Sequence, residues 1–165
     1  MNYWITTHWP PHVVDFPGPF YCGIWIQNGM EHVAAAIRPG DLVFKYESLT
    51  GPARMVDLPD GRRVTQACNR GHLGIVALME VTTELYDERS TNPTIYVDGS
   101  EKAWRFRADA ICKDSDGFVP LMNLNAILGY SPNNRLRGFG DYHSGLKRLD
   151  KATFDQIYTA FKNRS

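Results

Sequence analysis

The chain has 165 residues, of which 43% are hydrophobic and 22% are charged. This length and composition suit one folded domain, over residues 1–165, and exclude a disordered chain or a long coiled coil. Eighteen basic residues balance eighteen acidic ones, so bulk charge does not by itself indicate a nucleic-acid partner. No apolar run approaches the roughly 18 residues of a membrane span, a secretory leader pattern is missing, and three separated cysteines suit free thiols. We therefore expect a cytoplasmic protein with no membrane partner.

The first half of the chain alternates short strands with loops. The pattern predicts strands over 3–6 and 23–26, and the first ends before the proline pair that follows Trp9, because proline cannot continue a strand ladder. Three alanines predict a short helix over 31–37. Alternating apolar side chains predict a further strand over 41–47.

The second half adds an excursion, two longer strands and two helices. Residues 50–72 are rich in glycine, proline, arginine and aspartate, and they predict a hairpin-like excursion with short strands over 53–56 and 63–67. Beyond it we expect strands over 73–83 and 104–112, a helix over 121–128, a glycine- and arginine-rich loop with extended pieces over 130–146 and a final helix capped by Asp150. This order predicts a mixed α+β fold, a small β-barrel flanked by short helices with an amphipathic helix at the C-terminus.

No motif for catalysis or metal binding stands out. A Gly-x-Ser-x-Gly nucleophile turn is missing, and the Gly138-x-Gly140 pair lacks the third glycine of a dinucleotide fingerprint, a place that His143 occupies. Cys68 and His72 are spaced unlike the paired ligands of a structural zinc site. We therefore expect no catalytic residue, no metal and no cofactor.

Two stretches carry more basic than acidic residues, although the net charge of the whole chain is zero. Residues 50–72 carry four arginines against two aspartates, and residues 135–148 carry three arginines and a lysine against one aspartate. Because the guanidinium fork matches phosphate oxygens, two such stretches beside one cleft would hold a nucleic-acid backbone. A solvated surface without a ligand is the competing interpretation. The candidate phosphate-binding residues are Arg54, Arg62, Arg63, Arg135 and Arg137.

Several aromatic side chains lie at strand ends instead of strand interiors. Trp9 follows the first strand, Trp25 precedes a polar turn, and Tyr46 with Ser48 ends the strand over 41–47. Strand ends that meet at one rim of a barrel can surround a single cavity. An extruded base needs aromatic faces for stacking and a few donors and acceptors for its edge. These residues therefore predict a base pocket.

Six segments, in this order, resemble the EVE domain family of the PUA-like superfamily. They are residues 3–5, 23–25, 38–48, 74–81, 118–121 and 137–141, and an amphipathic helix follows them. The block Leu136-Arg137-Gly138-Phe139-Gly140-Asp141 is similar to that of EVE domains that accompany HNH nucleases in modification-dependent restriction enzymes.

The resemblance implies a PUA-like barrel with a pocket for a modified base. Trp25 matches the cage tryptophan that EVE domains share with the YTH readers of N6-methyladenine, and Tyr46 and Ser48 match a Tyr-x-Ser strand end. The second YTH tryptophan falls near Ala110, so Trp104 is a candidate for that wall. We expect a binding module, not an enzyme, that takes a 5-substituted cytosine of DNA into the pocket by base flipping. A fused or separate nuclease is an expected partner.

Asp15 and Ser48 are candidate hydrogen-bond partners for the base edge, because both lie near the aromatic positions. Three alternatives remain open. An RNA-binding PUA-like module would use the same pocket for a modified RNA base. An enzyme acting on a nucleotide or small ligand would use a titratable pair such as His8 and Asp15. A domain that only contacts a protein partner would keep its aromatic residues in the core.

Overall fold

An eight-stranded sheet forms the centre of the structure. The structure is a computed structural model that describes residues 1–12, 22–26, 29, 31–89, 93–136 and 145–163. Its strands, in chain order, are β1 Tyr3–His8, β2 Gly23–Ile26, β3 Leu42–Glu47, β4 Arg54–Asp57, β5 Arg63–Gln66, β6 Gly74–Val81, β7 Tyr86–Asp87, β8 Thr94–Ile95, β9 Glu101–Lys102, β10 Phe106–Asp114, β11 Val119–Pro120 and β12 Leu146–Leu149.

The sheet runs in the order β12-β1-β3-β6-β10-β2 and curls into a half-barrel. β1 is parallel to β3 and antiparallel to β12, so Tyr3 pairs with Leu42 on one side and Leu149 on the other. β7 pairs with β10 and β11 with β6, whereas β4–β5 and β8–β9 form two separate hairpins. The parallel pairing brings the ends of β1 and β3 together, and the backbone N–H of Ser48 donates to the carbonyl of His8 at 3.0 Å.

Two helices complete the described structure, α1 Leu121–Leu128 and α2 Lys151–Lys162. Asp150 caps α2, because its side chain accepts a hydrogen bond from the backbone N–H of Thr153 at 2.7 Å. Both helices and the cap agree with the sequence predictions. In the part of the chain that the structure describes, neither helix has the length and apolar character needed to cross a membrane.

Strand β3 is buried on both faces, since it lies between two apolar clusters. On the outer face Phe44 stacks on Phe154 of α2, with ring centroids 4.9 Å apart. On the inner face of the curled sheet Val43 packs with Trp4. The inner face also holds Lys45, whose exposure is only 4%. The end of β3 therefore brings polar groups into the interior of the fold.

The structure corrects two of the predicted elements and adds five short strands, β7, β8, β9, β11 and β12. The helix predicted over 31–37 is a 3₁₀ helix of four residues, Glu31–Ala34, because seven residues are too few to nucleate a stable α-helix. The strand predicted over 104–112 begins at Phe106 instead, which leaves Trp104 in the preceding loop. Strand β12 falls partly in the segment that was expected to be a loop.

Candidate functional site

Aromatic side chains line a cavity beside the ends of β1 and β2. The cavity has a volume of about 410 Å³, which lies within the range of roughly 300–1,000 Å³ typical of small-molecule sites. We call it the tryptophan cavity. Its aromatic lining residues are Trp9, Trp25, Tyr96 and Trp104.

Trp25 forms one wall of the tryptophan cavity and belongs to β2. A Cβ at Gly23 would lie 3.0 Å from Cη2 of this indole, so glycine leaves room for the ring against its own strand. The ring of His8, at the end of β1, meets the Trp25 ring edge-on with centroids 5.6 Å apart. Neighbours on two strands therefore restrict the orientation of Trp25.

Trp9 and Trp104 form another part of the lining. Trp9 directly follows β1, and its ring makes edge-to-face contacts with Tyr96 at 5.4 Å and with Trp104 at 5.9 Å between centroids. The indole N–H of Trp104 donates to the hydroxyl of Tyr96 at 3.4 Å. The ammonium of Lys102 lies 4.7 Å from the Trp9 ring centroid, within cation–π range. Contacts among loop residues thus hold these rings in place.

His8 contributes an uncharged polar group to this cavity. Burial lowers the pKa of His8 to about 3, and the charge of Lys45 acts in the same direction. The ring also hydrogen-bonds to the backbone of Gly23, which opposes the shift. At neutral pH the cavity wall therefore presents an imidazole that is fixed in position and carries no charge.

Charged residues lie around the same cavity. Arg54 lines it, and its Nε donates to the side-chain oxygen of Gln66 at 2.9 Å. Arg107 also lines it and forms an ion pair with Glu88 at 3.0 Å. Arg54 was predicted from the basic stretch over 50–72. Arg107 and Glu88 were not predicted, because only the fold brings them beside the tryptophans.

Arg62 and Arg63 lie on the β4–β5 hairpin, where both are paired with acidic neighbours. The Nε of Arg62 is 2.6 Å from a carboxylate oxygen of Asp60, and the Nε of Arg63 is 2.8 Å from one of Asp57. All four side chains are more than half exposed. The two arginines do not line the tryptophan cavity.

A second cavity shares Trp9 with the tryptophan cavity. It has a volume of about 460 Å³, and we call it the tyrosine cavity after Tyr46; it is lined also by Ser48 and Arg135. The Ser48 hydroxyl lies 2.9 Å from the backbone carbonyl of Thr50, to which it donates. Trp9 is the one described residue that lines both cavities.

The hydroxyl of Tyr46 is an unusual feature of the tyrosine cavity. Tyr46 is 1% exposed, and its hydroxyl has no hydrogen-bond partner among the residues that the structure describes. Burial raises the pKa of Tyr46, and the positive charge of Arg135 opposes that shift. The phenol is therefore protonated at neutral pH and remains a hydrogen-bond donor.

The predicted base-pocket residues divide between the two cavities. The tryptophan cavity holds Trp9, Trp25 and Trp104, whereas the tyrosine cavity holds Tyr46 and Ser48. Two further candidates, Asp15 and Arg137, lie outside the described residues. Tyr96 was missed because an isolated tyrosine in a turn carries no distinguishing sequence pattern.

The described residues offer no grouping for a metal ion. Within these ranges, no three His, Cys, Asp or Glu side chains come together as metal ligands. Cys68 lies 3.5 Å from Nε2 of His12. His72 hydrogen-bonds instead to a carboxylate oxygen of Glu47, at 2.7 Å.

Three solved structures are similar to this chain over nearly its whole length. Human THYN1 in complex with 5-methylcytosine-containing DNA has a TM-score of 0.55 and 14% identity, with 100% of both chains covered. Rpa0253 from Rhodopseudomonas palustris has a TM-score of 0.51 and 14% identity, covering 98% of this chain and 94% of that one. Atu2648 from Agrobacterium tumefaciens has a TM-score of 0.50 and 13% identity, covering 97% and 93%. No protein-family model and no curated protein matches the sequence.

These similarities decide the architecture. The chain has a PUA-like fold. The predicted class, a mixed α+β fold on a small β-barrel with a C-terminal amphipathic helix, is thereby confirmed, and in the described residues the sheet is a curled half-barrel with two helices. At 13–14% identity the likeness concerns the fold alone.

Proposed function

We propose that this chain is a nucleic-acid-binding module of the EVE type, which holds a modified base in the tryptophan cavity. The favoured partner is DNA that carries a 5-substituted cytosine, with the base extruded from the helix. The convergence of Trp9, Trp25 and Trp104 on one cavity carries the proposal. A structure of the same fold, human THYN1, is in complex with 5-methylcytosine DNA, which supports this choice of partner.

Stacking supplies the main attraction in this proposal. A base stacked on an aromatic side chain gains roughly 1–3 kcal/mol, whereas extrusion costs a few kcal/mol. Trp25 provides one face for the base, and Trp9 with Trp104 provides the opposite wall. The free energy gained by stacking between two aromatic walls barely offsets the free energy of base extrusion. Contacts to the base edge and to phosphates therefore supply the rest of the affinity.

The base edge would meet two acceptors. Glu88 lines the tryptophan cavity and carries a carboxylate, the group that pairs with the exocyclic amine of cytosine. The neutral ring of His8 offers a nitrogen lone pair beside it. Ser48 is a less suitable partner than its sequence position suggested, because it lines the tyrosine cavity and its hydroxyl bonds to backbone.

The phosphate contacts are assigned to arginines near the two cavities. Arg54 lines the tryptophan cavity and Arg135 the tyrosine cavity. Arg62 and Arg63 are exposed on the neighbouring hairpin, and we retain them as contacts that act on all sequences alike. Arg137 remains a candidate from the sequence. A fused or separate nuclease would act on the DNA that this module binds.

The electrostatics of His8 disfavour the enzymatic alternative. A general base works best when its pKa lies near the working pH. The pKa of His8 is about 3, so its ring is a weak base at neutral pH. The low pKa therefore favours a binding role for His8 over a role as general base.

Replacement of Trp25 tests the proposal. We expect Trp25→Ala to bring the affinity ratio between a duplex with one 5-methylcytosine and the matched unmodified duplex close to one, because the extruded base loses its stacking face. Affinity for the modified duplex should fall about tenfold or more, as loss of one stacked base implies. Fluorescence anisotropy with labelled duplexes measures both quantities.

The matched control is Tyr158→Ala, an aromatic truncation on α2 where the side chain is 39% exposed and does not line the tryptophan cavity. This variant should keep the wild-type ratio. A Trp25→Ala protein that folds and still prefers the modified duplex would refute the pocket assignment. Competition by a modified RNA oligonucleotide of the same sequence distinguishes the DNA partner from an RNA partner.

A further inference from the structure

We propose that Cys22 and Cys112 form a reversible redox pair, which a low-molecular-weight disulfide of the glutathione type oxidises to a disulfide. The two cysteines are far apart in the sequence, and the fold brings their side chains into contact. The modification site lies at the edge of the sheet, where β2 carries Trp25. The chemistry of the pair involves no nucleic acid, so it is independent of the proposed function.

The contact between the two thiols is the first observation. Cys22 directly precedes β2, and Cys112 lies on β10. Gly23 and Asp109 are the last paired residues of these antiparallel strands, so both cysteines lie just beyond the end of the ladder. The thiol of Cys22 forms hydrogen bonds with the side chain and the backbone of Cys112. Free thiols in hydrogen-bond contact are already close to the arrangement in which a disulfide forms.

The unequal accessibility of the thiols is the second observation. Cys112 is exposed, whereas Cys22 is half-buried. Burial raises the pKa of Cys22, and the neighbouring Cys112 acts in the same direction. A dissolved disulfide therefore reacts first with Cys112, and Cys22 completes the bond. An accessible cysteine beside a second, resolving thiol is typical of redox-sensing pairs.

A buried ammonium group beside the sulfurs is the third observation. Lys45 on β3 is only 4% exposed, and it interacts electrostatically with both Cys22 and Cys112. Its charge lowers the pKa of Cys22, against the effect of burial. A nearby cation favours the thiolate, which is the form of cysteine that attacks a disulfide. Lys45 therefore stabilises the negative charge that develops on each sulfur during the exchange.

The reaction consists of two thiol–disulfide exchanges. The Cys112 thiolate attacks one sulfur of glutathione disulfide, the S–S bond of that molecule breaks, and one glutathione thiolate leaves. Cys22 then loses its proton to solvent and attacks the Cys112 sulfur of the mixed disulfide, which releases the second glutathione thiolate. Each leaving thiolate takes up a proton. Two electrons thus pass from the cysteine pair to glutathione disulfide, and the new bond ties the start of β2 to β10.

Equilibration of the protein in glutathione redox buffers tests the pair. We expect oxidised wild-type protein to lose the mass of two hydrogen atoms and to yield one cross-linked peptide pair, which contains Cys22 and Cys112. Dithiothreitol should reverse the change. The equilibrium constant for the bond should be at least about tenfold larger in the folded protein than in urea, because the fold holds the two sulfurs together. Equal constants in the two states would overturn the proposal.

Single substitutions assign the role of each thiol. Cys68→Ser removes the third cysteine and is the matched control, which should form the same disulfide as the wild type. In this background, Cys22→Ser should stop at a stable glutathione adduct on Cys112, because the resolving thiol is missing. Cys112→Ser should form its adduct at least about tenfold more slowly, since the remaining thiol of Cys22 is less accessible and less ionised.

Other outcomes would refute the redox pair. If separate glutathione adducts accumulate equally on Cys22, Cys68 and Cys112, the three thiols react independently. If the cross-linked peptide contains Cys68, or if oxidised protein migrates as a dimer on a non-reducing gel, the disulfide joins other partners. These results leave the preference for modified DNA untested, so failure of the redox pair is distinct from failure of the proposed function.

Discussion

A histidine at a ligand cavity normally introduces a charge that changes between pH 5 and 8. His8 does not, since its burial and the nearby Lys45 hold its pKa at about 3. The side chain therefore contributes shape and a lone pair to the tryptophan cavity over the whole neutral range. We expect the selectivity of the cavity to be insensitive to the titration of this residue.

The same shift makes protein stability depend on pH. The unfolded chain protonates His8 near its ordinary pKa of 6.5, whereas the folded protein resists protonation down to about 3. Between these values the unfolded state binds more protons, so the contribution of His8 to the free energy of unfolding is present above pH 6.5 and falls as the pH decreases. We predict that the free energy of unfolding of His8→Gln decreases less steeply than that of the wild type between pH 6.5 and about 3. Urea denaturation at several pH values in this range measures the difference.

The comparison is the pH dependence of the wild type over the same window. If the curve of His8→Gln runs parallel to that of the wild type, protonation of His8 is not linked to unfolding.

At the scale of elements, the loop between β5 and β6 determines how the ends of β1 and β3 are arranged. The backbone N–H of Gly71 donates to the carbonyl of Leu49 at 2.8 Å. A Cβ at Gly71 would lie 1.8 Å from the carbonyl oxygen of Ser48 and 2.7 Å from Cγ of Pro10. This loop therefore packs directly on the two chain segments that carry Trp9 and Ser48, at the boundary between the two cavities.

Substitution of Gly71 tests the importance of this packing. We predict that Gly71→Ala lowers the free energy of unfolding by about 2 kcal/mol, because its methyl group has to displace backbone. Affinity for the modified duplex should fall together with stability. Gly61→Ala provides the comparison, since Gly61 has a φ of +87° but no atom within 4 Å of an added Cβ. It should cost about 1 kcal/mol, the conformational penalty alone, without affecting binding. Equal effects of the two variants would contradict the packing argument.

The sequence patterns predict most of the elements because their signals are local. Alternation predicts β3, and Asp150 before a periodic apolar stripe predicts the start of α2. Strand β12 carries no comparable signal, since its four residues depend on pairing with β1 across most of the chain. The burial of Lys45 and Glu47 also escapes prediction, because charged side chains usually indicate a solvated face.

The sequence did not reveal how the fold divides the candidate site residues between two cavities. Sequence reasoning placed Trp25 and Tyr46 around one pocket, as strand ends at a shared rim. In the fold they line different cavities that share Trp9, because Tyr46 lies on the face of β3 against which α2 packs. Arg107 and Glu88 reach the tryptophan cavity only through tertiary pairing, which leaves no trace in a single sequence.

For the whole molecule, a net charge of zero means that attraction to the proposed DNA partner has to be local. The hairpin arginines Arg62 and Arg63 already form ion pairs with Asp60 and Asp57. Exposed pairs of this kind are weak, so phosphate can compete for the guanidinium groups. The net charge of zero also predicts little long-range electrostatic steering of DNA towards the protein. In the proposed complex, direct contacts with DNA phosphates therefore dominate the electrostatic part of the binding free energy.

The salt dependence of DNA affinity measures this electrostatic contribution. We predict that the double variant Arg62→Gln and Arg63→Gln weakens binding to modified and unmodified duplexes alike and reduces the salt slope by up to about two, one for each lost phosphate contact. Lys162→Gln at the end of α2, where Lys162 pairs with Asp114, should change neither quantity. If the double variant altered only the preference for the modified base, the arginines would not act through phosphates.

The position of β1 in the sheet has a consequence for how the protein is made. This strand leaves the ribosome before both of its partners, β3 and β12, and Leu149 has to emerge before the second edge at Tyr3 is covered. Until β12 emerges, the nascent chain exposes a strand edge that is open to wrong pairings. We therefore expect the native sheet to form only after β12 has been synthesised and productive folding to depend on how long that edge remains uncovered.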